Sequence, residues 1–179
     1  MMNEAAAKRF YGKYRGSVES IDDPQRRGRV TLKVPDVLGD RTSTWAEPCV
    51  PLAGPTGFPM GVFLVPPERT AVWVEFEAGD WNHPIWVGCL WGGKDGSFVP
   101  SQAYEGQSGS PSIVMQTRGR NSLVISDGPA PDGGITLTSA SGASISLNEA
   151  GVTITSADGA RIELAHGKVS VNQGALEVT

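Results

Sequence analysis

Between Gly134 and Thr179 the chain reads GITLTSASGASISLNEAGVTITSADGARIELAHGKVSVNQGALEVT, with glycines at 134, 142, 151, 159, 167 and 174. The steps between them are 8, 9, 8, 8 and 7 residues. Close behind each glycine come two apolar residues one position apart: Ile135/Leu137, Ile145/Leu147, Val152/Ile154, Ile162/Leu164, Val169/Val171 and Leu176/Val178. Leu123/Ile125 begins the series. Period-two alternation between glycine turns predicts short strands with one buried face. Self-similarity at so short a period points to a β-solenoid or a related repeat.

No Phe, Trp or Tyr follows Tyr104, and no Pro follows Pro131. Strands of about five residues, carrying only small and medium apolar side chains, lack the width to enclose their own apolar face. Each such side chain gains about 2 kcal/mol on full burial, so a partner that covers the face is strongly favoured. Three chains wound into a triangular prism satisfy this, each face taking strands from all three. Seven strands per chain would give a needle on the order of 34 Å long at a spacing of roughly 4.8 Å. Closure also removes lateral sheet edges. The seven pairs named above are then the expected trimer core. An ordinary β-sandwich or a single-chain helix is the competing reading.

The remaining composition limits the other possibilities. With 179 residues there is room for one domain and an extension, and 23 Gly with 13 Pro favour turn-rich β structure. A net charge of −4 argues against nucleic acid, which calls for a basic surface. No apolar run approaches the roughly 20 residues of a membrane helix, and the start, MMNEAAAKRFYGKYRG, has no apolar signal region. Cys49 and Cys89 sit in apolar surroundings and read as buried free thiols, with a disulfide left open.

In chain order, residues 1–14 read as a short helix or an arm. Phe10, Tyr11 and Tyr14, set among cations, are candidate rings for docking on another protein. Residues 15–92 read as a compact β domain. Val30, Leu32 and Val34 share one face of a strand; Val72, Val74 and Phe76 share another; Ile85, Val87, Cys89 and Trp91 are expected to share a third. Ala46–Leu52 and Gly61–Val65 are further apolar segments, and no stretch carries a helical period. Five or six strands in under 80 residues suggest a small Greek-key barrel of OB type. Residues 93–117, rich in Gly, Ser and Pro, read as a linker, and 118–179 as the needle.

In this order the motifs resemble the contractile-tail spike proteins: phage baseplate assembly protein V, the spikes of extracellular injection systems, and the valine-glycine repeat protein of type VI secretion. The resemblance rests on Gly16-Ser-Val with Asp23-Pro24, Gly28-Arg29-Val30, Val34-Pro35, Trp45-Ala46, Gly54–Gly57, Val72–Phe76, Gly79-Asp80, and Pro84-Ile85 leading to Val87-Gly88-Cys89-Leu90-Trp91. Arg120–Asp127 followed by Gly134-Ile-Thr-Leu resembles the entry to the family's prism. It implies an all-β fold, an OB barrel followed by an intertwined triple-stranded β-helix, and a homotrimeric membrane-piercing spike rather than an enzyme. It also implies a place in the baseplate of a phage or injection particle, reached from the cytoplasm without a signal peptide. The target-cell envelope is then met only on firing.

The short stretch before the barrel implies a separate hub protein, contacted through Phe10, Tyr11 and Tyr14. A PAAR-type tip protein is expected at the far end on Leu176, Val178 and Thr179. The linker leaves no room for the lysozyme domain that some members insert. His166 stands alone in the needle, so the histidine-built metal tip of some members is not carried over, and no metal or cofactor is expected.

Chemical alternatives are weak. Gly88–Lys94 has Walker A spacing, but Asp95 replaces the Ser/Thr that would hold magnesium. Asp22/Asp23 and Asp36/Asp40 lie in turns, where Asp caps local backbone. His83 has no spaced partner for a metal, and no G-x-S-x-G elbow occurs. Trp45, Trp73, Trp81, Trp86 and Trp91 allow an alternative, an OB-fold carbohydrate-binding adhesin or fibre-like module. Trp73 and Trp86 are expected to point away from their strands' apolar rows, toward sugars or neighbouring subunits.

Overall fold

A computed structural model describes residues 8–55, 57–92, 98–105, 111–129 and 133–178. The chain divides into two compact units, Met1–Gly96 and Ser97–Thr179, both built from strands.

The first unit holds β1 (Tyr14–Ser20), β2 (Thr31–Lys33), β3 (Glu47–Pro48), β4 (Ala71–Phe76) and β5 (Pro84–Cys89) in the order β2-β1-β4-β5-β3. Neighbours are antiparallel except β3 and β5, which run parallel. A bridging pair between Val30 and Ala46 joins the two ends of this order, so the strands close around one core in the manner of an OB barrel. Alternation fills that core as expected: Val30, Leu32, Val34, Val72 and Val74 are fully buried, with Val18, Leu38 and Phe76 around them. Gly16 lets β1 lie close to its neighbours, since a Cβ there would stand 2.9 Å from Val74 Cγ2 and 3.0 Å from Lys33 O.

The first unit departs from the sequence pattern at several points. Beyond β2, Pro35 opens one helical turn, α1 (Pro35–Leu38), where no helical period is expected; its fixed φ favours a first helical position. Residues 8–13 form no helix, and 1–7 lie outside the described residues. Of Ala46–Leu52 and Gly61–Val65, only Glu47–Pro48 forms a strand, and most of the rest is exposed loop. Cys49 and Cys89 are free but exposed rather than buried, and partial desolvation pushes the Cys89 thiol pKa up.

The face of β5 is also reversed. Pro84 and Trp86 point into the core, leaving Ile85 and Val87 outward, and beyond a register slip Cys89 lies opposite Val72 yet is exposed. Trp86 satisfies its indole N–H by donating to Gly28 O at 3.2 Å, which removes the main obstacle to its burial.

The second unit is one antiparallel meander of eight strands: β6 (Ile113–Gln116), β7 (Ser122–Ser126), β8 (Gly134–Thr138), β9 (Ser144–Asn148), β10 (Gly151–Thr155), β11 (Arg161–Ala165), β12 (Lys168–Val171) and β13 (Leu176–Val178). Within the chain, every described ladder partner of these strands is a sequence neighbour. Short connections make this possible: all but β7–β8, which seven residues join, are two to five residues long. The sheet begins at Ile113, inside the stretch read as linker.

Candidate assembly surface

The ladder register sets the apolar pairs directly opposite one another. Ile113 pairs with Ile125 and Met115 with Leu123; Ile125 with Ile135 and Leu123 with Leu137; Ile135 with Leu147 and Leu137 with Ile145. The series continues through Ile145–Ile154, Leu147–Val152, Ile154–Ile162, Val152–Leu164, Ile162–Val171, Leu164–Val169, Val171–Leu176 and Val169–Val178. Directly opposed residues share a face, so the expected trimer-core positions form two parallel columns across the sheet. The structure adds Ile113 and Met115 as the columns' first members. They lie in the Gly/Ser/Pro-rich stretch read as linker, which hid them.

This apolar face is open. Ile135, Leu137, Ile145, Leu147, Ile154, Ile162 and Leu164 are all exposed, and Leu123, Val152 and Val171 are half-buried. At the intervening positions the opposite face carries Val114, Val124, Thr136, Ser146, Thr153, Glu163 and Ser170. A continuous apolar patch of this length, backed by a hydroxyl-rich face, marks an association surface.

Two kinds of turn recur along the sheet, beside a seven-residue connection after β7 and a four-residue one after β12. Connections of five residues follow β6, β8 and β10, and in each a Ser or Thr hydroxyl accepts the N–H four residues on. These bonds are Asn121 N to Thr117 Oγ1 at 3.1 Å, Ala143 N to Ser139 Oγ at 3.1 Å and Ala160 N to Ser156 Oγ at 2.9 Å. On the other rim, β9–β10 and β11–β12 are joined by two residues, Glu149-Ala150 and His166-Gly167. His166 and Gly167 both have positive φ, 53° and 76°, the combination that matches strand twist in a two-residue hairpin.

The candidate hub residues split. Phe10 and Tyr14 pack against their own barrel, with ring centroids 6.2 and 5.7 Å from Phe76, while Tyr11 is exposed. At the other end Leu176 is exposed. Val178 closes the last ladder pair with Val169, and Thr179 lies outside the described residues.

The chemical candidates do not assemble into a site. Asp23 caps its turn, accepting from Gln25 N, Arg27 N and Arg29 N. His83 lies 3.6 Å from Asp80 on the surface. Among the described residues no three metal-ligating side chains cluster and no helix is long and apolar enough to cross a membrane. Gly93, Lys94 and Asp95 of the Walker-like stretch lie outside the described residues. Arginines sit over three of the tryptophan rings: Arg29 over Trp45, Arg15 over Trp73 and Arg41 over Trp81, at 5.0–5.5 Å. Trp86 is in the core and Trp91 is exposed.

Two family models match the chain. Residues 14–91 are similar to the type VI secretion system/phage-baseplate injector OB domain. Residues 112–177 are similar to the phage baseplate V C-terminal trimerisation domain, and this match begins one residue before β6. A search of curated proteins gives no match.

Proposed function

The chain belongs to the family of phage-baseplate and type VI secretion injector proteins, and on that premise we propose that three copies form the central, membrane-piercing spike of a contractile machine. The observation that carries the proposal is the two-column apolar stripe from Ile113 to Leu176, left open by a single chain. Three such sheets, one per face, can close a triangular prism with the stripes inside and the Ser/Thr faces outside. Eight strands would make the prism about 38 Å long at a spacing of roughly 4.8 Å.

The work of such a spike is mechanical. A continuous ladder resists unwinding, and a closed apolar core resists separation of the chains when sheath contraction pushes along the axis. No catalytic step is assigned to it. A separate hub protein would hold the barrel end, a role supported by exposed Tyr11 and the neighbouring cations Lys8 and Arg9. A PAAR-type tip protein would cover β13, the last strand in the sheet order, where Leu176 is exposed and an outer backbone edge is open. Arginine over Trp45, Trp73 and Trp81 weighs against the carbohydrate-binding alternative, because it occupies one face of each ring.

Electron cryomicroscopy of the assembled particle, with a tag on this chain, tests the assignment. Three copies on the baseplate axis are expected. Copies placed around the periphery, or in a number other than three, would contradict it.

A further inference from the structure

The apolar stripe cannot by itself fix how three sheets line up. Its pairs are alike at every level, so sliding one chain past the next by two strands would still cover most of it, and uniform strands are prone to such slippage. The question rests on the trimeric reading above. With one sheet on each face, three-fold symmetry brings one rim of each protomer against the opposite rim of the next, a heterologous contact that closes.

The two rims differ in charge. On the rim of five-residue turns, Arg118 and Arg120 follow β6, the turn Ser139–Ala143 is uncharged, and Asp158 follows β10. On the other rim, Asp127 follows β7, Glu149 follows β9, and Lys168 flanks the turn after β11. All six charged residues are exposed. Asp158 is held anionic below its ordinary range by a hydrogen bond from Ser156 Oγ. Arg161, on the same rim, pairs with Glu163 at 3.0 Å.

Turns on the two rims alternate in height by one strand, about 4.8 Å. Each five-residue turn can therefore settle against the neighbour's turn that follows it in sequence, or against the one that precedes it. In the first arrangement Arg118 and Arg120 meet Asp127, the uncharged turn meets Glu149, and Asp158 meets Lys168. In the second Asp158 meets Glu149, a like charge. We propose that this charge order locks the trimer into the first stagger, with Asp158 of each protomer against Lys168 of the next. Single exposed ion pairs contribute little, but these recur at every seam, and the competing stagger juxtaposes carboxylates.

The test is a charge swap in the full chain, reading the thermal dissociation of the trimer at low ionic strength. Asp158→Lys and Lys168→Glu should each shift dissociation to lower temperature, and the double variant should return it to the wild-type value. Asp158→Asn, which keeps an acceptor for Ser156, should show a smaller shift than Asp158→Lys. A double variant no better than the weaker single overturns the proposal, as do single variants without effect. A rise in stability for Asp158→Lys alone overturns it too, because that marks the opposite stagger. A wild-type chain that is monomeric would instead remove the trimeric reading itself, before any variant is compared.

Discussion

Asp23 shows how one carboxylate organises a connection. Beyond its three backbone donors it holds Arg29, whose Nη2 lies 2.6 Å and Nε 3.1 Å from Oδ1, and the guanidinium lies over Trp45. The Arg29 side chain, with smaller contributions from the backbone donors and some opposition from desolvation, holds the Asp23 pKa well below the ordinary range. A folded-state pKa that is depressed adds stability above the unfolded value of about 3.9, and that stability fades as pH falls below it. Asp23→Asn should therefore melt at lower temperature than wild type at pH 7, and the gap should narrow as the pH is taken below about 4.

Trp86 gives a second test at this scale. Trp86→Ala should cost about 3–5 kcal/mol in chemical denaturation, as for a core aromatic. Trp73→Ala, on the outer face, should cost about 1 kcal/mol or less. The sequence could not separate these two rings. β5 is apolar on both faces, Ile85 and Val87 on one and Pro84 and Trp86 on the other, so its periodicity had no phase. The β4–β5 ladder also slips register between Trp73 and Val74, and no residue pattern announces that irregularity.

At the scale of elements, the glycine period turns out to serve two purposes. Gly134 has φ +98°, and a Cβ there would stand 2.0 Å from Leu147 O. Gly142 has a similar φ, +92°, but nothing lies within 4 Å of its Cβ position. Gly142→Ala should cost only the strain of a left-handed alanine, on the order of 1 kcal/mol. Gly134→Ala should cost clearly more, because the neighbouring strand must also move. Comparing the two variants' melting temperatures checks this.

The strand pairs of the needle were legible because small apolar residues alternate with Ser and Thr on only one face. The alternation of long and short turns was not, since both give steps of 7 to 9 residues. β6 escaped because Ile113 and Met115 sit at the end of a Gly/Ser/Pro-rich segment whose composition reads as linker. The loop from 48 to 67 misled in the opposite direction. It contains no charged residue and looks strand-like, yet Pro and Gly break it, and Phe58, Met60, Phe63 and Leu64 are exposed. Charge depletion of that kind suits a surface covered in an assembly.

At the scale of the whole molecule, the account requires that the second unit be completed by other copies of the chain. Ile154 lies at the middle of the stripe, opposite Ile145 on one side and Ile162 on the other. Ile154→Asp would place three carboxylates on the prism axis with no partner, a burial that costs far more than one side chain contributes. Size-exclusion chromatography should show loss of the trimer, while the barrel keeps its folded spectrum.

The most direct measurement is the solution mass of the purified chain by light scattering, with and without residues 113–179. The account predicts a mass near three times 18.9 kDa for the full chain, falling when the sheet is removed. A full-length chain that stays monomeric and folded at micromolar concentration would contradict it, because the apolar stripe would then be stable in water without a partner.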